Sequence, residues 1–257
     1  MICPKCQHEQ DDGHRECVKC GVIFEKYEAF QQALRRPQPP SRVTPSHQIQ
    51  EERDGFFSII NEILFHVPDE VNAFSFWARA VLLAALFVWG WKLILAPIAG
   101  STSGNSFMHL VNLPFHEAGH LIFSPLGRIM RSLGGTLGQI LMPAVCMVVL
   151  LIQTRDTFGA AVVLWWIGDN FLDIAPYIND ARSLTLPLLG GNTGRSAPYG
   201  FHDWEFILKE LHLAQYDHLL ANMSHKLGAL IMLMSFAWGA VVLFRQYKNI
   251  PRNLTAG

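Results

Sequence analysis

The stretch Phe115-His116-Glu117-Ala118-Gly119-His120 lies inside an apolar run that extends from Phe107 to Leu126. Ionisable side chains at membrane depth are costly, so they indicate a functional site. On a helix, His116 and His120 are four residues apart and project from one face, where both imidazoles can bind one Zn²⁺. Glu117 lies beside the first histidine, where its carboxylate can accept a proton from a water on the metal. The stretch therefore predicts a zinc site of the hydrolase type in a membrane helix.

The same spacing also fits two core histidines whose hydrogen bonds are satisfied, next to a paired glutamate. The residues around the stretch are apolar, however, among them Leu113, Leu121 and Phe123. An unpaired carboxylate in such surroundings costs several kcal/mol or becomes neutral. The apolar flanks thus favour the metal site.

Composition separates a polar start from an apolar remainder. The chain has 257 residues, of which 50% are hydrophobic and 16% charged, with a net charge of −1 and a mean hydropathy of +0.21. This balance gives no electrostatic case for binding nucleic acid. The charged, cysteine-rich start does not have the pattern of a cleavable signal peptide, so we expect insertion through internal spans.

Two Cys-x-x-Cys pairs, Cys3/Cys6 and Cys17/Cys20, predict a zinc ribbon over residues 1–30. Four thiolates at this spacing form a structural zinc site, and zinc would supply the free energy that so short a unit lacks. The alternative is a pair of disulfides, which would require an oxidising compartment. Acidic residues outnumber basic ones in this unit, which favours a protein partner or a purely structural role over nucleic acid.

The remaining chain predicts an all-α polytopic membrane protein. A proline-rich flexible linker is expected over residues 31–55, an amphipathic helix on the membrane surface over residues 56–70, and a membrane domain over residues 74–250. About five apolar helices are expected, one of which carries the histidines. The others are predicted at Phe74–Ile98, Thr136–Gln153, Thr157–Ile178 and Leu227–Phe244, with an amphipathic helix at Trp204–Ala221.

The third zinc ligand is left open among several carboxylates. Asp169, Asp173 and Asp180 fall near one line on the fourth span, and an acidic stripe in a membrane helix needs a counter-charge such as Zn²⁺. We predict Asp173 as the third ligand, with Asp180 as the alternative. His202 or Asp203 is a further candidate for the metal site or for supporting it, although Asp203 also fits a helix N-cap.

This pattern resembles the site-2 protease family of intramembrane zinc metalloproteases. His116, Glu117 and His120 match its first motif, and Asn170 with Pro176 loosely matches its second. Asp173 precedes this proline, whereas the ligand aspartate of the family follows it. The resemblance implies a three-helix core that holds a catalytic zinc.

We therefore expect an intramembrane metalloprotease with one catalytic and one structural zinc ion. Glu117 would act as the general base, and Asn170 would stabilise the oxyanion. The expected partners are the bilayer, a membrane-protein or peptide substrate, and a protein that binds the ribbon. The expected location is a bacterial inner membrane, with the ribbon in the cytoplasm. The alternatives are an inactive metal-binding adaptor and, third, a metal transporter.

Overall fold

The computed structural model describes residues 1–35, 55, 57–99 and 106–251. The chain divides into two compact units, residues 1–56 and 57–257. In the described part every regular element is a helix, and β structure is limited to isolated bridges, which confirms the all-α class. The linker expected over residues 31–55 lies largely outside the described residues.

The N-terminal unit repeats one short turn. The Cys3 carbonyl accepts the N–H of Gln7 at 2.9 Å, and the Cys17 carbonyl accepts the N–H of Gly21 at 2.8 Å. Gln7 and Gly21 have φ angles of 58° and 67°. This left-handed conformation lets the backbone reverse direction after each pair of cysteines. Antiparallel bridges flank the turns, at Ile2–Glu9 and Glu16–Ile23. Helix α1, Phe24–Arg35, follows the second turn.

The helices of the second unit are α2 (57–65), α3 (Ala73–Ile94), α4 (Phe107–Phe123), α5 (Arg128–Ile152), α6 (Thr157–Asn179), α7 (Asp203–Glu210) and α8 (Asp217–Lys248). Side-chain caps set where several of them begin. Asn72 accepts the N–H groups of Phe74 and Ser75 at the start of α3, and Asp156 accepts that of Gly159 at the start of α6.

Helix α6 is the centre of this unit and is buried along most of its length. Its closest neighbour is α8, which it crosses at a pair of glycines. A Cβ on Gly168 would lie 2.9 Å from the Gly228 carbonyl oxygen, and a Cβ on Gly228 would lie 2.6 Å from that of Gly168. The glycines therefore let the two backbones touch. The apolar core at this crossing comprises Leu86, Leu93, Trp165, Leu172, Met232 and Phe236.

Among the described residues, four helical segments are long and apolar enough to cross a membrane: Ala73–Ile94, Arg128–Ile152, Thr157–Asn179 and Ala214–Lys248. The sequence predicts about five. Helix α4 has only 17 residues because it ends at Phe123, where the chain enters a short 3-10 turn, Ser124–Leu126, that contains Pro125. On α3, side chains such as Phe74, Trp77 and Val88 are exposed, which suits a helix that faces lipid.

Several predicted helix boundaries differ from those of the structure: the first span ends at Ile94 instead of Ile98, and the last runs from Asp217 to Lys248 instead of from Leu227 to Phe244. Helix α5 starts at Arg128 instead of Thr136, because its glycines lie inside the helix where it crosses α4. The helix predicted at Trp204–Ala221 is instead divided, since His212 has a φ of 56° and breaks it. Asp217 begins the next helix, held by two hydrogen bonds from Arg182 at 2.7 and 2.8 Å. From there α8 continues without interruption to Lys248.

Candidate metal centre

Helix α4 presents His116 and His120 on one face, with ring centroids 4.7 Å apart. The Nε2 atoms of both rings lie 3.2 Å from the same oxygen, Oδ2 of Asp203. The three side chains thus converge on one point. The structure brings Asp203 to the two imidazoles, although it follows His116 by 87 residues.

The other nitrogen of each ring is held by a fixed acceptor. His120 Nδ1 donates to the Arg131 carbonyl oxygen at 2.8 Å, and His116 Nδ1 lies 2.8 Å from Oε1 of Gln139. With Nδ1 protonated, each Nε2 faces the carboxylate either as the N–H of an imidazolium or as a lone pair directed at a cation. Such outer hydrogen bonds orient histidines for metal binding.

The distances fit a divalent ion. Donor atoms bound to a tetrahedral zinc at about 2.0–2.1 Å lie about 3.3–3.4 Å apart, close to the observed 3.2 Å. Two imidazoles and one carboxylate are among the donor sets that catalytic zinc sites use, and such sites keep a further position open. His116, Glu117 and His120 also bring their ligand atoms within 4.8 Å of one another. The site can therefore hold a metal ion with Glu117 beside it.

Asp203 is ionised in these surroundings. Burial raises the pKa of its carboxyl group, but the hydrogen bonds and charges of His116 and His120 outweigh burial and hold the pKa below its usual value. A half-buried carboxylate that keeps its charge is a competent metal ligand.

Glycines make room for the imidazoles. A Cβ on Gly135 would lie 2.5 Å from His116 Nε2 and 2.7 Å from His120 Cε1. Gly119, Gly134 and Gly138 form the crossing of α4 and α5, where any Cβ would meet backbone of the other helix. The glycines that let α4 and α5 pack closely therefore also form one wall of the candidate metal centre.

Asp203 owes its position to the start of α7. His202 caps this helix through Nδ1, which accepts the Glu205 N–H at 3.1 Å. The ring proton is therefore on Nε2, which lies 3.6 Å from Oδ2 of Asp180. Burial lowers the pKa of His202 and keeps the ring neutral. Asp180 and His202 thus lie close together at the two ends of the loop that precedes Asp203.

Asp180 itself serves that loop. Its carboxylate accepts hydrogen bonds from Ser183, from the N–H and hydroxyl of Thr185, and from the N–H of Leu186. Burial raises the pKa of Asp180, but these hydrogen bonds more than offset it and lower the pKa. In the described part of the chain the hydrogen bonds of its carboxylate are all with this loop, so the carboxylate is engaged there instead of at His116 and His120.

Asp173 faces a different histidine. Both of its oxygens lie near His109 Nδ1, at 2.9 and 3.1 Å. The Asn112 amide nitrogen lies 3.2 Å from Asp173 and 3.2 Å from Asp169. The Trp166 N–H donates to Asn112 Oδ1 at 2.7 Å, which fixes the orientation of that amide. Asp169 and Asp173 are thus engaged by hydrogen bonds with His109 and Asn112 of α4 instead of by His116 or His120.

Asn170 is fully buried in α6. Its amide donates to the Trp166 carbonyl oxygen at 3.0 Å, one turn earlier on the same helix. The side chain does not line the cavity that contains the histidines.

The metal centre opens into a cavity of about 820 Å³. Helices α4, α5, α6 and α7 and the loop before α7 form its walls. Its lining residues include His109, Leu110, Leu113, Arg128, Arg131, Tyr177, Leu189 and Phe201. The cavity is therefore polar near the metal centre and apolar along much of its remaining wall.

No family model, curated protein or solved structure matches this chain.

Sequence reasoning missed His109, Asn112 and Gln139. One signal was present: His109, Asn112, His116 and His120 recur every three or four residues along an otherwise apolar helix. Such a stripe indicates a polar face directed at the protein interior. Gln139 gave no comparable signal.

The four cysteines of the N-terminal unit form a second candidate site. Their ligand atoms all lie within 4.8 Å of one another. The sulfurs of Cys3 and Cys20 are 3.8 Å apart, and those of Cys6 and Cys17 are 3.6 Å apart. Two sulfurs on a tetrahedral zinc lie about 3.8 Å apart, whereas a disulfide needs about 2.05 Å. The spacing fits a four-thiolate metal site.

Proposed function

We propose that this chain is an integral membrane zinc metalloendopeptidase of the site-2 protease type. The observation that carries the proposal is the convergence of His116 Nε2, His120 Nε2 and Asp203 Oδ2 on one point beside Glu117. Asp203 takes the place of Asp173 and Asp180 as third ligand, since those two carboxylates are engaged by His109 and by the loop.

Zinc bound by these three residues would polarise a peptide carbonyl and lower the pKa of a coordinated water to about 7. Glu117 accepts the proton of the attacking water and donates it to the leaving amine. Gln139 and the Arg131 carbonyl oxygen keep the two imidazoles oriented through the reaction. Asn170 has no part in this mechanism, because its side chain lies outside the cavity.

The cavity supports a peptide substrate with apolar side chains. Leu110, Leu113 and Leu189 contribute to its walls, and its volume of about 820 Å³ accommodates several residues. The substrate must be locally extended there, because a helix shields its own carbonyl groups. We further propose that the four-cysteine unit is a structural zinc ribbon on the cytoplasmic side of a bacterial inner membrane, where it binds a protein partner.

Glu117→Gln tests the proposal. The full-length protein in detergent micelles is incubated with a mixture of synthetic apolar peptides, and fragments are measured by mass spectrometry. We expect Glu117→Gln to lower the cleavage rate by about 100-fold or more while bound zinc is unchanged, because only the proton acceptor is removed. The exposed Glu70, outside the cavity, supplies the matched control Glu70→Gln, which should cleave normally.

Two results would contradict the proposal. Equal cleavage by the wild type and Glu117→Gln would exclude Glu117 as the base. Zinc binding at the histidines without cleavage by the wild type would favour the metal-binding adaptor instead.

A further inference from the structure

Two arginines lie at the start of α5, in the same cavity as the metal centre. Arg128 and Arg131 are three residues apart, on neighbouring positions of the first helical turn, and both line the cavity. The backbone of Arg131 is already part of the centre, since its carbonyl oxygen accepts the His120 Nδ1 proton.

Neither guanidinium group has an ion-pair or hydrogen-bond partner within the described part of the chain. The other arginines that the structure describes in this unit all have one: Arg79 with Asp156, Arg155 with Glu62, Arg182 with Asp217, Arg195 with the Ser183 carbonyl, and Arg245 with Asn61 and the Phe65 carbonyl. Arg128 and Arg131, both exposed in the cavity, are therefore the two described arginines of this unit whose charge has no anionic or hydrogen-bonding partner in the protein.

Their position in the helix is also unfavourable by itself. The N-terminus of a helix carries partial positive charge, which favours anions and disfavours cations. Helix α5 has no acidic residue in its first turn, and its N-cap, Gly127, makes no side-chain hydrogen bond to the helix. Two cations and a set of uncapped N–H groups thus share one end of a helix. A bound anion would satisfy all of them.

Arg128 is nevertheless oriented. Its guanidinium carbon lies 4.9 Å from the ring centroid of Phe206, a residue of α7. Contact with an aromatic face leaves the N–H groups at the edge of the guanidinium free to donate. Phe206 belongs to the helix that carries Asp203, so the orientation of Arg128 is linked to the third ligand of the metal centre.

We propose that Arg128 and Arg131 form an anion-binding subsite that receives an acidic side chain of the peptide substrate. This inference rests on the proposed peptidase function. The carboxylate would accept hydrogen bonds from both guanidinium groups while the neighbouring residues of the peptide extend past His116 and His120. A peptide is favoured over a lipid headgroup because both arginines line the cavity of the candidate metal centre itself, and Arg128 lies against Phe206 and Gly200 in its wall.

Binding can be measured without turnover. The full-length Glu117→Gln protein, loaded with zinc in micelles of an uncharged detergent, is titrated with two labelled, C-terminally amidated hexapeptides, one alternating Leu and Glu and the other alternating Leu and Gln. Alternation presents an acidic group in any register. By fluorescence anisotropy we expect the Leu/Glu peptide to bind about ten-fold or more tightly than the Leu/Gln peptide.

The arginine variants identify the source of this preference. In Arg128→Gln combined with Arg131→Gln, we expect the preference to fall to about one-fold, because each lost guanidinium removes charge-assisted hydrogen bonds. Arg155→Gln is the matched control, since Arg155 is an exposed arginine outside the cavity, and it should keep the preference. Zinc content, measured in each variant, shows that the metal centre is intact.

Three results would overturn the subsite. The first is equal binding of the two peptides by the protein with both arginines. The second is a preference that survives in the double variant. The third concerns lipid and is measured in nanodiscs of phosphatidylglycerol. If the double variant binds less of this lipid but keeps the peptide preference, the arginines bind lipid and not the peptide. Cleavage by the wild type without any acidic preference would remove this inference alone, whereas arginine-dependent binding without cleavage would remove the peptidase function alone.

Discussion

His116 and His120 each have one nitrogen occupied by a fixed acceptor and the other directed at Asp203. A divalent ion bound between the two rings and the carboxylate would displace any protons held there, so metal binding should weaken as the pH falls.

Asp203→Ala should weaken the metal centre, and Asp173→Asn should not. Removing one of three protein ligands is expected to lower metal affinity by about 100-fold, whereas Asp173 contacts His109 instead. Cobalt(II) titration measures this in a protein that also carries Cys3→Ser and Cys20→Ser, where the visible d–d bands come from the His/Asp site alone. Equal affinity in Asp203→Ala and the wild type would exclude Asp203 as a ligand.

Gly135→Ala should prevent the histidines from binding metal together. The new methyl group would lie 2.5 Å from His116 Nε2, too close for either ring to keep its place. We expect loss of the cobalt bands of the His/Asp site. The control is Gly55→Ala, where a Cβ would have nothing within 4 Å. Unchanged cobalt binding in Gly135→Ala would mean that the imidazoles do not approach α5 as described.

At the scale of elements, α7 and the loop before it deliver Asp203 to α4. The loop is fixed at one end by Asp180 and at the other by the cap that His202 forms on α7. The crossing of α4 and α5 supplies the opposite wall, through glycines that allow backbone contact.

Asp180→Asn should loosen the loop in a pH-dependent manner. The folded pKa of Asp180 is lowered, so its stabilising effect is complete above its unfolded pKa of about 3.9 and is lost as the pH falls through the lower folded value. At pH 7 we expect faster proteolysis within residues 181–203 of the variant. The difference from the wild type should shrink below pH ~4. A difference that does not shrink as the pH falls below ~4 would contradict this role of the ionised carboxylate.

Gly119→Ala should destabilise the packing of α4 on α5. A Cβ at this position would overlap the Gly134 carbonyl oxygen, and backbone of a packed helix cannot move aside as a side chain can. Overpacking of this kind costs about 1–3 kcal/mol. We expect a lower thermal unfolding midpoint in detergent, measured by circular dichroism. A midpoint equal to that of the wild type would show that the two helices are further apart.

At the scale of the whole molecule, two candidate metal sites lie in two separate compact units of the described chain. Each uses residues of its own unit. The histidine site lies on α4, beside the candidate membrane helices α5 and α6, and the other uses two repeated turns and four thiols.

Cys3→Ser combined with Cys20→Ser should remove one metal ion and leave the other. We expect the thiolate charge-transfer bands of cobalt to vanish while the His/Asp bands remain, because no ligand is shared between the sites. Metal analysis should change from about two ions per chain to about one. Loss of both sets of bands would show that the units depend on each other.

The spacing of residues along the chain determined much of the local structure and both sets of candidate ligands. Residues four apart on a helix share a face whatever surrounds them, so the pair His116 and His120 follows from the sequence, as do the apolar helices and the two cysteine pairs. The helix ends were less predictable, since Pro125, His212 and the glycines of α5 act through local backbone conformation and helix contact.

Only the tertiary structure decided which carboxylate joins the histidines. Asp169, Asp173, Asp180 and Asp203 all occupy positions that the sequence allows, and their spacing along the chain does not rank them. The glycine contacts of α4 with α5 and the hydrogen bonds of His109 and Asn112 to α6 leave the two imidazoles facing α7. Asp203 reaches them because a loop held at both ends places it there, and such a distance in sequence can be closed only by packing.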